Sequence, residues 1–188
     1  MRCLVLSFLT LFCGVGLAQT RAEEPIKTTL CGLIQNPDQF NGKMVTVRGQ
    51  IEIDFEDFGL ATRECHERKA DGIWLEYGRG PKNQPTVWCC GDLTPVDPLR
   101  LVQNGEFKRF HRFITARLTD CDGYGCNRYA VTATLTGRLD SVATVLCPDG
   151  KSRCPEKGGF GHFGGSSVRL MIRSVANVTA NPVDRSKH

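Results

Sequence analysis

The chain has 188 residues, ten of them cysteine, and a formal net charge of +4. That length suits one domain with room for an insertion. The charge is too small to mark a nucleic-acid binder by itself, and ten cysteines raise the question of compartment before that of activity.

The chain opens with Met1-Arg2 and then CLVLSFLTLFCGVGLA, residues 3–18, which is apolar or small apart from Ser7 and Thr10. Gly16 and Ala18 are small residues at the two positions a signal peptidase reads, and residues 19–24 are abruptly polar. This is the layout of a secretory signal peptide. The expectation is a cleaved leader over 1–18, a linker over 19–25 and a secreted or periplasmic product with no remaining membrane span. A retained anchor is the alternative. A lipoprotein fits less well, because Cys13 follows bulky Phe12.

Cleavage would leave Cys31, Cys65, Cys89, Cys90, Cys121, Cys126, Cys147 and Cys154. An even set in an exported chain reads as disulfides. Zinc sites usually present tight C-x2-C pairs, whereas CDGYGC and CPDGKSRC are spaced more widely and Cys89-Cys90 are adjacent. Neither a metal nor a cofactor is expected.

Residues 26–35, IKTTLCGLIQ, place Ile26, Leu30, Leu33 and Ile34 on one helical face, with Thr28 or Thr29 as cap and Asn36-Pro37 as stop. KMVTVRGQIEI, 43–53, alternates as a strand, and Gly49 inside it suggests a bend. Strands follow at 58–62 and 72–77, where Ile73, Leu75 and Tyr77 oppose Trp74 and Glu76. Residues from about 78 to 105 read as an irregular insertion. EFKRFHRFITARL, 106–118, has its phenylalanines at helical spacing, and its basic run KRFHR reads as a solvated helix face. CDGYGC is a turn, RYAVTATLTGRL (128–139) a strand, and 140–166 a long glycine-rich connection. SVRLMIRSVANV, 167–178, is the last strand, and 181–188 a flexible tail. The sequon Asn177-Val178-Thr179 reads as coincidence.

Five strands with a helix between the third and fourth is the pattern of an OB-fold. The predicted class is mainly β: a single domain over 26–180, a five-stranded, partly open antiparallel barrel with strand 4 paired to strand 1. An irregular α+β sandwich is the alternative.

The segments LCGLIQNPDQFNGKMVTVRGQI, GIWLEY, YAVTATLTGRL and GFGHFGG followed by VRLMIRSVANV resemble a group of exported bacterial proteins of unknown function with an OB-like domain. The resemblance covers most of 29–178 and implies fold and export, with no activity attached.

OB-folds bind across strands 2 and 3, flanked by the loops joining strands 1 to 2 and 4 to 5. The first loop here carries Asp54, Glu56 and Asp57, and the second carries GGFGHFGG, residues 158–165, with Phe160, His162 and Phe163. Trp74 and Tyr77 of strand 3 would add aromatic surface. Three roles compete for the glycine-rich loop. It is a structural plug, with both phenylalanines closing the barrel end and His162 bonded to a carbonyl or an acid. Or it is part of a binding face for a protein or saccharide. Or His162 is a general base beside Asp54 or Glu56 in a small extracellular enzyme. No nucleophile elbow, H-E-x-x-H or phosphate loop supplies the rest of an active site, so a binding or structural module without catalysis is the preferred expectation. Glu76 and the acidic first loop argue against nucleic acid as the ligand.

Cys31 on the first helix and Cys65 after strand 2 would clamp helix to barrel. Cys121–Cys126 and Cys147–Cys154 would staple local turns. Adjacent Cys89 and Cys90 seek two different partners, so the local pairs compete with a bond from one of them to the 121–126 turn.

Overall fold

The computed structural model describes residues 23–53, 57–62, 65, 72–80, 98–118, 126–146, 148, 153–156 and 158–183. The leader, Asp54, Glu56, Cys89, Cys90, Cys121, Cys147 and most of the 78–105 insertion lie outside them. No helix among the described residues is long and apolar enough to cross a membrane.

The core strands are β2 (Met44–Ile53), β3 (Phe58–Leu60), β4 (Ile73–Tyr77), β5 (Tyr129–Ser141) and β8 (Val168–Pro182). Helix α3 (Gly105–Ile114) falls between β4 and β5. Around the barrel the order is β2-β3-β4-β8-β5, and β5 pairs back onto β2 from Met44↔Arg138 to Ile51↔Val131. This is an OB-like barrel, closed rather than partly open. Nor is it wholly antiparallel: β4 and β8 run parallel, Trp74↔Arg169 to Tyr77↔Ile172. A closed ring with an odd number of strands cannot alternate direction all the way round, so one parallel pair is unavoidable.

The remaining elements correct the sequence boundaries. Ile26–Lys27 (β1) adds in parallel to Val45–Thr46 of β2 instead of starting a helix. Helix α1 (Leu30–Gln35) begins after Thr29, whose hydroxyl accepts from the Gly32 amide at 3.1 Å. A four-residue helix, α2 (Pro37–Phe40), follows, with proline in its first turn, where no backbone donor is missed. The glycine-rich connection hides a hairpin of β6 (Thr144–Leu146) and β7 (Arg153–Pro155). Residues after Ile114 leave the helix. Leu118 donates to the Cys126 carbonyl and Arg128 to that of Ala116. Asn181 and Pro182, expected in the tail, extend β8 along Ala130 and Tyr129.

Alternation buries Val45, Val47, Ile51 and Ile53 of β2 and Val131, Ala133, Leu135 and Leu139 of β5. Phe107, Phe110 and Ile114 of α3 complete the same core. No bulge falls at Gly49: β2 pairs through it without a register break, opposite Ala133. Its role is spatial, since a Cβ there would lie 2.9 Å from the Leu60 side chain.

The bulges lie in β8. Its register against β5 slips twice, between Thr132 and Thr134 and between Thr136 and Gly137 of β5. Each slip places an unopposed residue in β8, the definition of a bulge. Inward residues are therefore Val168, Leu170 and Ile172, then Val175, then Val178. Asn177 at the second bulge takes a left-handed φ of 50°, which asparagine tolerates better than most residues. The bulges free backbone groups, and these are used. The Arg173 carbonyl accepts from the Val102 amide at 2.7 Å, and that of Asn177 accepts from Arg48 at 2.9 Å. The Val178 amide donates to Glu106 of α3 at 3.2 Å.

A disulfide joins Cys31 to Cys65 across 34 residues. Cys126 and Cys154 are also disulfide-bonded.

Candidate functional site

The loop over 158–166 folds on itself. Phe160 and Ser166 exchange backbone bonds of 2.7 and 3.0 Å, enclosing a single 3₁₀ turn, His162–Gly164. Gly158, Gly161 and Gly164 have φ of 54°, 75° and 66°, a region open to glycine at no steric cost. Gly161 is also pressed on Trp74, whose ring would lie 2.4 Å from any Cβ added there. The loop thus covers the indole, leaving it 7% exposed.

Its near end is held by charge. The Arg169 guanidinium lies 4.5 Å from the centre of the Phe160 ring. That guanidinium is itself pinned by Glu76 at 2.7 Å and by Asp140 at 2.7 Å, and Arg138 binds the same Asp140 at 2.6 Å. Burial alone would raise the Asp140 carboxyl. The hydrogen bonds and charges of Arg138 and Arg169 outweigh it, and its pKa falls below the ordinary 3.8. A depressed folded pKa contributes stability that is present above the unfolded value and lost as pH falls through the folded one. Asp140→Asn is therefore expected to cost about 1–3 kcal/mol at neutral pH, measured by urea unfolding. The gap from wild type should close in acid, and a gap that persists there would contradict this account.

Beside the loop lies a cleft of about 660 Å³. Its barrel wall is Ile51 and Ile53 of β2, Phe58 and Leu60 of β3, and the start of β4. Phe160, His162 and Ser166 form the loop wall, and Asn127 and Tyr129 the far wall. Asn127 is locked in place by donating to the Ile53 carbonyl and accepting from Arg117. Among the described residues the acidic ones on this surface are Glu52 and Asp57. Among the described residues no three potential metal ligands come together.

The predicted site residues separate into groups. Trp74, Phe160 and His162 line the cleft together. Asp54 and Glu56 lie outside the described residues. Phe163 does not plug the barrel: it stands 93% exposed at the loop tip, at φ 49°, with its ring 3.9 Å edge-on from that of His162. The tight glycine turn points it outward.

Tyr77 is not at the site. It lies on the opposite face of β4 from Trp74, between Phe58 at 5.3 Å and Phe107 at 5.4 Å. Burial pushes its hydroxyl pKa up, so it stays neutral, 3.4 Å from Nδ1 of His111. Sequence reasoning missed Asn127 and Tyr129, whose only signal is their position where β5 begins, beside the end of β2.

Among the described residues the arrangement is a partly apolar trough with an imidazole, two carboxamides, a phenol and two carboxylates at its edges, suited to a ligand with one flat face and several hydroxyl or amide groups. Searches against protein-family models, curated proteins and solved structures return no significant match to this chain.

Proposed function

We propose that the protein is an exported, disulfide-stapled binding module without catalytic activity, whose cleft holds a saccharide or a protein segment. The observation that carries this reading is the loop over 158–166. It is fixed from below by Trp74 and from the side by Arg169, and it presents His162 to the cleft and Phe163 to solvent. A bulky residue kept in the left-handed region costs free energy, and such positions cluster at binding sites. A fully exposed phenylalanine beside a cleft is also how interfaces supply an aromatic anchor. Export is supported by the leader pattern of residues 1–18 and by cysteines that pair. The OB-like barrel adds only analogy, since its members bind diverse ligands on this face.

The test is a glycan array and a displayed peptide library probed with wild type, His162→Ala and Phe163→Ala. The expected result is a saturable ligand whose affinity falls about tenfold in either variant, with an unchanged melting temperature. Unchanged affinity with a lowered melting temperature would return the loop to a structural role. Turnover of the captured ligand, abolished by His162→Ala, would favour the acid–base reading with Asp54 or Glu56.

A further inference from the structure

The outer face of α3 and the short bridge that follows it carry five exposed cations: Lys108, Arg109, Arg112, Arg117 and Arg128. Among the described residues one carboxylate is in ion-pair range of any of them, Glu106 at 3.8 Å from Arg109. Glu106 is already accepting from the Val178 amide. A cationic last turn complements a helix dipole, but Arg117 and Arg128 lie beyond the helix. The fold has brought them there by pairing Arg117 with Asn127 and Arg128 with Ala116.

Three of the guanidiniums are held against rings. Those of Arg109 and Arg112 sit 5.8 and 5.3 Å from the centre of Phe113, and that of Arg128 sits 5.7 Å from the centre of Tyr129. The two rings pack edge to face at 5.1 Å. The result is a ledge of pre-oriented guanidiniums rather than loose side chains. Tyr129 is shared: it is also part of the cleft wall.

We propose that the ledge binds an anionic polysaccharide, one bearing sulfate groups. This rests on the saccharide form of the binding reading above. Guanidinium forks match sulfate and carboxylate oxygens in pairs. Single-stranded nucleic acid needs open ring faces on which bases stack, and here guanidiniums cover them. A membrane surface needs apolar side chains free to insert, and Phe113 and Tyr129 are spent on each other.

Calorimetric titration of the mature, oxidised protein with a heparin hexasaccharide tests this, against its desulfated form, an oligothymidylate, phosphatidylserine vesicles and an oligoglutamate. Wild type should bind the sulfated hexasaccharide, more weakly as salt rises. The variant R109Q/R112Q/R128Q should lose about tenfold or more at an unchanged melting temperature. If that variant melts lower, the single Arg112→Glu substitution gives the same readout. Wild-type affinity in these variants would overturn the proposal. So would equal or tighter binding of the desulfated sugar, the oligothymidylate, the vesicles or the oligoglutamate. His162→Ala and Phe163→Ala separate the two readings. Affinity that depends on the arginines and not on these residues keeps the ledge and discards the cleft. The reverse dependence discards the ledge.

Discussion

Replacing Cys31 and Cys65 together by alanine is expected to lower the melting temperature of the oxidised protein by roughly 8–16 °C. The bridge spans 34 residues of sequence, and chain entropy gives a loop of that size about 4 kcal/mol. For a domain of this length each kcal/mol moves the midpoint by about 2–4 °C. The site itself argues against a smaller value. Helix α1 has six residues, too few to hold its form alone. It is attached to the barrel by Leu33 and Ile34, with Leu30 packed beside them, and by this bond, whose far end, Cys65, is buried with the core. Measuring the double variant in oxidising buffer leaves the bridges of Cys126 and Cys154 intact, so the change belongs to the clamp. A shift of only a degree or two would mean that packing alone seats the helix.

Phe110→Ala is expected to cost about 3–5 kcal/mol, read from the urea midpoint at constant slope. Phe110 is fully buried, flanked on α3 by Phe107 and Ile114. The helix is capped by Asn104, whose side chain accepts from the Phe107 amide at 2.9 Å. It is tied to β8 through Glu106 and Val178. A helix fastened at its start cannot slide to fill the space a phenylalanine leaves, so most of the cavity should persist. A loss under about 1 kcal/mol would show that the site collapses, and so that α3 is seated loosely.

Much of this fold could be read from residue order. The helix between the third and fourth strands and the alternation of β2 and β5 are sufficient for the barrel, and Thr29 was among the two caps expected for α1. The parallel β4–β8 pair was not visible, because direction follows from ring closure and not from any local pattern. Gly49 marks no bulge, because a glycine inside a strand can also make room for a close neighbour, here the Leu60 side chain of the adjoining strand. The bulges were legible in principle, since the apolar positions of β8 step from Ile172 to Val175 to Val178. Of the candidate site residues, Trp74, Phe160 and His162 line one cleft. Tyr77 failed on parity, being an odd step away from Trp74 on the same strand. The outward aim of Phe163 depends on the φ of a turn, which composition does not fix.

The two bulges of β8 divide what register does from what curvature does. Without Arg173, Ile172 and Ser174 would be neighbours, and they already face consecutive residues of β5, Gly137 and Thr136. Without Asn177, Val178 would fall opposite Ala133, and both are already buried. Each bulge is thus a supernumerary residue: the alignment of the strand is complete without it. What would be missing are the Arg173 and Asn177 carbonyls that Val102 and Arg48 now use. The ladder would stay in step while the approach to α3 lost an anchor. Barrel shape in this chain is therefore set in whole-residue increments, by two insertions that a change in side-chain chemistry alone cannot imitate.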